Sequence, residues 1–245
     1  MVESAVRSAV VFGVGPLRGL GAELVQYFAQ QGLMVFAVGR TRERLARTVA
    51  QIDSGAGSVV PLSADATHEV EVIQVFDEVA RQGIPELVVY NVDRNEKAPL
   101  LDTSVPLFED LWRQNCLGGF LVGRQAIQHF LRRGQGTLIM TGATASLRAR
   151  PPFTAFAAAK SGLRAVAQGM AREFGPQGIH VVHAIIDGVI DGDRARHQFP
   201  DFVAAKPRGG LIEANAIAST YWMLHQQPRS AWTHEIDLRP YCEGF

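Results

Sequence analysis

Gly13-Val14-Gly15-Pro16-Leu17-Arg18-Gly19-Leu20-Gly21 is the stretch on which the reading of this chain turns. Before it stands Ala9-Val10-Val11-Phe12, a short apolar, β-branched run that reads as a strand. After it Leu20, Leu24 and Phe28 recur every four residues, the stripe of a helix facing a core. A glycine-rich turn between a strand and a helix has a specific use. Residues without Cβ let the backbone approach a pyrophosphate, and the helix start offers free N–H groups and the positive end of its dipole. The turn is therefore read as a phosphate-binding loop.

The alternation continues to the end of the chain. Further strands are expected at Met34 to Val38, Ser58 to Leu62, Leu87 to Tyr90, Gly136 to Thr141, His180 to Ile186 and Thr233 to Leu238. Between them run helical periods. Leu45, Val49 and Ile52 follow a candidate cap at Thr41; Val72, Phe76 and Val79 follow one at Thr67 and stop at Gly83. Ser104 to Arg133, Phe153 to Phe174 and Glu213 to His225 read as three more helices. Strands alternating with helices predict an α/β fold: a doubly wound parallel sheet of about seven strands, helices on both faces. With no repeat or linker, residues 1–245 read as a single dinucleotide-binding domain. The weakly patterned segment 187–212 is expected to line a substrate pocket, because ligands sit at the carboxyl ends of such strands.

Composition narrows the classes. Basic and acidic residues balance at 24 each, so the electrostatic footprint of a nucleic-acid or membrane-surface binder is missing. Two cysteines are too few for a disulfide framework, and the first fifteen residues lack a signal-type apolar run, so a cytoplasmic setting is expected. The histidines and cysteines show no metal-ligand spacing, and no metal is expected. The Walker and G-x-S-x-G patterns are absent.

Gly15, Gly19 and Gly21 match the G-x-x-x-G-x-G spacing of the short-chain dehydrogenases/reductases; Gly13 is an extra glycine that also allows a reading with a two-residue insertion. Asp65 after the third strand, Asn91 after the fourth, Asn115 in the long helical stretch and Lys160 follow in that family's order. The chain resembles the family over nearly its whole length. The resemblance implies a Rossmann-type sheet, a nicotinamide cofactor, a small-molecule substrate and a homodimer or homotetramer. It implies cofactor contacts from Gly15, Arg18, Gly19, Leu20, Gly21, Asp65, Ala66, Asn91 and Lys160. NADP is expected over NAD, because Gly39 followed by Arg40 ends the second strand where a ribose-binding carboxylate would otherwise repel a 2′-phosphate. Arg40 also fits a solvated Arg40–Arg44 helix face, and Asp65 also fits a helix cap.

The catalytic pattern departs from the family. Phe156, four residues before Lys160, takes the position of the proton-donating Tyr, and Ala143 that of the Ser. Lys160, Asn115 and, by a one-residue shift, Thr144 are the remaining catalytic candidates. Asp93 and Asp187 read first as capping or turn aspartates at strand ends; the alternative is that two carboxylates near the nicotinamide end have split pKa values and do acid–base work. His183 reads as a core or edge residue. The resulting expectation is an NADP-dependent oxidoreductase acting on a carbonyl or alcohol. A catalytically silent NADP-binding sensor or regulator is the alternative, and a non-redox lyase or dehalogenase is a weaker one.

Overall fold

The computed structural model describes residues 6–244; the expectation drawn from residues 1–5 lies outside them. Strands form where apolar residues run together: β1 (Arg7–Phe12), β2 (Met34–Gly39), β3 (Ser58–Ser63), β4 (Ile84–Tyr90), β5 (Gly136–Thr141), β6 (Ile179–Ile186) and β7 (Glu235–Leu238). They make one parallel sheet of order β3-β2-β1-β4-β5-β6-β7. Helices pack on both faces, so strand residues alternate between two cores rather than between core and solvent. Val10 and Phe12 of β1 face α3 (Glu69–Gln82), α5 (Gly118–Leu131) and α6 (Thr154–Phe174), meeting Phe76, Phe130 and Leu163. Ala9 and Val11 face α1 (Leu20–Gln30) and α9 (Ala214–His225), meeting Leu24, Phe28 and Tyr221. This is the Rossmann-type arrangement. Strand order reverses between β1 and β4, which leaves a crevice at their carboxyl ends.

Several elements differ from expectation, each for a local reason. The 104–133 stretch is interrupted: α4 (Val105–Trp112) leads into a π-helical turn, Arg113–Leu117, before α5. The Gln114 carbonyl inside that turn accepts a hydrogen bond from the buried Tyr90 hydroxyl. Gly118 and Gly119 let the helix reach Tyr90, since a Cβ on Gly118 would lie 2.3 Å from that hydroxyl oxygen. α3 starts one residue later than a Thr67 cap requires, because Asp65 Oδ1 accepts from the Thr67 amide (2.9 Å) and hydroxyl (2.8 Å). Thr41 stands at the N-cap of α2 (Arg42–Val49) without a side-chain cap bond, and Ile52 lies beyond that helix. β7 is a half-buried edge strand that begins at Glu235, two residues later than expected. Within 187–212 the chain makes two short helices, α7 (Asp193–Gln198) and α8 (Pro200–Ala204), and a bridge between Ile190 and Ile212 closes the segment at its base.

Among the described residues no helix is long and apolar enough to cross a membrane, and no group of three or more His, Cys, Asp or Glu could hold a metal ion.

Two glycine substitutions test the packing. A Cβ on Gly21 would lie 2.4 Å from the Gly13 carbonyl oxygen, whereas one on Gly169 in α6 would meet nothing within 4 Å. Gly21→Ala should therefore lower the urea midpoint by the equivalent of about 1–3 kcal/mol. Gly169→Ala should leave it unchanged or raise it by up to about 1 kcal/mol.

Candidate active site

The loops after β1, β2, β4, β5 and β6 surround a cleft of about 1400 Å³. Its first end is built by the glycine turn. Gly13 has φ +93°, and a Cβ there would sit 2.7 Å from the Asn91 carbonyl, so only glycine lets the turn close against β4. Its amide and that of Val14 both donate to the Val38 carbonyl at 3.0 Å. Asn91 binds β1 in return, its amide donating to the Phe12 carbonyl at 2.9 Å. Gly15 is bare, with nothing within 4 Å of a Cβ position, and its carbonyl is drawn back by the Thr48 hydroxyl at 2.9 Å. α1 then begins at Leu20 with no side chain capping its first amides. Gly39 is sterically required as well: a Cβ would approach the Val14 carbonyl to 2.6 Å, so no acidic side chain fits there.

Three guanidinium groups line this end: Arg18, Arg40 and Arg44. Arg40 lies 3.9 Å from Asp65 Oδ2 and is mostly exposed, so that pair contributes little. Arg18 and Arg44 form no ion pair among the described residues. Asp65 thus acts as a turn cap through one oxygen and faces Arg40 with the other. Ala66 is buried beside it.

The second end is built on α6. Phe156 and Lys160 are one helical turn apart and share a face. Lys160 is almost fully buried. Its Nζ donates to the Thr141 carbonyl at 3.1 Å, pairs with Asp93 Oδ1 at 3.2 Å and lies over the Phe156 ring, 5.8 Å from the centroid. Asp93 Oδ2 in turn binds Arg194 of α7 at 2.8 Å. Burial pushes the Asp93 carboxyl up, but the Lys160 and Arg194 charges outweigh it and hold the group below the usual range.

Asp187 is clamped too. One oxygen accepts from the Thr144 hydroxyl; the other lies 3.1 Å from Arg148 and 2.8 Å from Arg239. Each of the two carboxylates is thus held between cations, Lys160 and Arg194 for Asp93, Arg148 and Arg239 for Asp187. Thr144 lines the cleft with its hydroxyl committed to Asp187, and Ala143 lines it beside Thr144.

Asn115 is fully buried and does not line the cleft. Its amide donates to the carbonyls of Arg94 (2.8 Å) and Leu111 (2.9 Å), and its oxygen accepts from the Arg94 amide at 3.2 Å. It braces the loop that carries Asp93. In the 187–212 segment Arg194, His197 and Phe199 line the cleft; Arg196 is tied to Asp191, and neither it nor Phe202 lines it. The segment docks on the glycine turn, the Asp193 amide donating to the Arg18 carbonyl at 2.9 Å. Glu243 and Gly244 also reach the cleft, held by a Lys206–Glu243 pair at 2.8 Å. Nothing in the local sequence signals that contact, whereas Arg44 was visible as a basic residue four positions after Arg40.

His183 is fully buried behind Gly142, its Nδ1 3.0 Å from Glu235, which also binds Arg164 through two bonds of 2.6 and 2.8 Å. A Cβ on Gly142 would meet His183 Nε2 at 2.2 Å, so the glycine makes room for the ring. Burial depresses the histidine to about 4 despite the adjacent carboxylate. The Arg164 hydrogen bonds hold Glu235 at about 2.

A family model described as short chain dehydrogenase matches residues 9–201. The crystal structure of a short-chain dehydrogenase from Rhodopseudomonas palustris is 40% identical, covers 96% of this chain and 99% of that one, and superposes with a TM-score of 0.82. An uncharacterized oxidoreductase of Staphylococcus saprophyticus is 24% identical over 98% of this chain and 100% of its own length. The NADPH-dependent 1-acyldihydroxyacetone phosphate reductase of Saccharomyces cerevisiae is 26% identical over 79% of this chain; the match spans 64% of that protein.

The buried histidine sets a pH dependence. A folded-state value of about 4, against an ordinary 6.5, means the unfolded chain binds the proton more readily. The contribution is whole above about pH 6.5 and is lost as pH falls toward 4, amounting to about 3 kcal/mol. Thermal melts of the parent should decline over that window, and those of His183→Gln should decline less. Parallel curves would contradict the assignment.

Proposed function

The chain belongs to the short-chain dehydrogenase family, and from that premise we propose that it is an NADP-dependent oxidoreductase with an unusual catalytic centre. Its substrate is a small molecule bearing a carbonyl or alcohol. Phe156 and Ala143 stand where the family usually places Tyr and Ser. The observation that carries the reading is the cleft itself: a bare glycine turn and an uncapped helix start at one end, a buried lysine at the other.

The residues present fit a phosphorylated dinucleotide. Gly15, Gly19, Leu20 and Gly21 offer backbone and helix start to a pyrophosphate. Arg18 and Arg40, with Arg44 beside them, supply cations for a 2′-phosphate, and Gly39 leaves no carboxylate to oppose it. Asp65, Ala66 and Asn91 line the path between the two ends. A bound nicotinamide cofactor would supply or accept the hydride.

This chain's own residues then hold and move the proton. Lys160 has one N–H beyond those given to Thr141 and Asp93, and its Nζ lies over the Phe156 ring. It would contact the nicotinamide ribose of a bound cofactor, and it is a proton-bearing group over the Phe156 ring. In carbonyl reduction the Nζ proton passes to the substrate oxygen, and the amine regains it from water. Asn115 keeps the Asp93–Arg94 loop in register, and Thr144 stands in for the missing Ser. Apolar side chains exposed on α4, among them Val105, Phe108 and Trp112, support a homodimer or homotetramer.

A second reading, an NADP-binding sensor without turnover, is favoured by one observation. Thr144, Asp93 and Asp187 are all committed to partners, which leaves no free hydroxyl or carboxyl beside Phe156. Equilibrium binding separates the possibilities. NADPH should bind tighter than NADH, and Arg40→Ala or Arg18→Ala should weaken NADPH about tenfold while leaving NADH nearly unchanged. NADPH consumption across a panel of carbonyl compounds, abolished in Lys160→Met, then marks the enzyme. Binding without consumption marks the sensor, and equal binding of both cofactors would contradict the NADP assignment.

A further inference from the structure

Lys160 is the only buried ammonium or guanidinium among the described residues. A charge out of water needs an opposite charge and hydrogen bonds, or it loses its proton. The Thr141 carbonyl gives one hydrogen bond, and Asp93 is the single carboxylate bonded to Nζ. The other titratable groups around it do not compete. His183 on β6 is kept neutral by burial, Tyr90 on β4 is a buried phenol pushed well above its usual range, and Arg194 on α7 is spent on the same carboxylate.

Asp93 itself is one-third exposed, so it spans from the buried floor of the cleft to its mouth. Its two oxygens are divided: Oδ1 to Lys160 at 3.2 Å, Oδ2 to Arg194 at 2.8 Å. The Asp93 carbonyl is a further acceptor for Arg194, at 3.4 Å. Arg194 belongs to the segment that closes over the glycine turn through the Asp193 amide and the Arg18 carbonyl. The carboxylate is fixed from behind, because Asn115 clamps the neighbouring Arg94 backbone at both its amide and its carbonyl.

We infer that Asp93 is a positioning residue. With one oxygen it keeps Lys160 charged and in place, and with the other it seats α7, so a single carboxylate links the proton at the cleft floor to the segment over its mouth. The functional meaning of this rests on the acid–base role proposed for Lys160. Its test requires neither cofactor nor turnover, so the two can fail separately.

The chain contains three lysines, Lys97, Lys160 and Lys206, which makes the test direct. In protein labelled with ¹³C at lysine Cε, three resonances report the three ammonium groups, and Lys160→Met identifies the buried one. In Asp93→Asn the Lys160 resonance should titrate at a lower pH than in the parent. Asp93→Glu should recover most of that shift. Amide exchange over α7 should quicken in Asp93→Asn and in Arg194→Ala. If Asp93→Asn does not fold, Arg194→Ala still decides. Removing the competing cation leaves Asp93 wholly to Lys160 and should move its titration upward. An unmoved Lys160 resonance in the folded variants, or exchange in α7 that ignores Asp93, would overturn the inference.

Discussion

The carbonyl oxygen of Gly13 occupies the place where a methyl group on residue 21 would be. That backbone contact holds the start of α1 against the end of β1, and the neighbouring contacts extend it. Gly13 lies on the Asn91 carbonyl, and Gly39 lies under the Val14 carbonyl. Three strand ends and a helix start are thereby packed main chain to main chain, with no side chain to adjust. The bare face of Gly15, the uncapped amides of α1 and the row of arginines all have their positions set by it.

The same contact explains how far the sequence could be read. Glycines in this pattern between a strand and a helix have few other uses, so the sheet, its parallel sense and the cleft end followed from nine residues and the alternation around them. Gly13 looked superfluous beside the family spacing, yet it is the residue with φ +93° that makes the turn. Periodicity did not show the π-turn at Asn115, because a single wide turn inside a helix has no residue signature of its own. It emerges from Tyr90 reaching a carbonyl in three dimensions. Asp93 and Asp187 were placed at strand ends correctly in the sequence, but their partners are far away along the chain: Lys160 and Arg194 for one, Arg148 and Arg239 for the other. Charge pairing across such separations has no local signature.

The second cleft end shows what a hydrocarbon ring beside a buried ammonium entails. Phe156 offers Lys160 the face of a π-system and no hydrogen-bond acceptor. The charge is satisfied by a carboxylate from the loop after β4, and that carboxylate is itself shared with α7. Acid–base behaviour and loop geometry are thus joined at this end, while the glycine end is rigid backbone. Beneath both, the Arg164–Glu235–His183 chain ties α6 to the edge strand and fills the space Gly142 leaves open.

The strand order carries a consequence for how the molecule is made. β1 is central in the finished sheet, with β2 on one side and β4 on the other, and Arg7 at its start pairs with Ile84. On a ribosome β1 and β2 can pair soon after both emerge, but the second flank of β1 stays open until β4 has been synthesised. Closing that contact brings together distant parts of the chain, a slow event compared with forming any single βα unit. Until then an apolar row, Ala9, Val10, Val11 and Phe12, presents unpaired backbone to its surroundings. The interval between β2 and β4 is when the nascent chain is most exposed to mispairing and most in need of protection by chaperones.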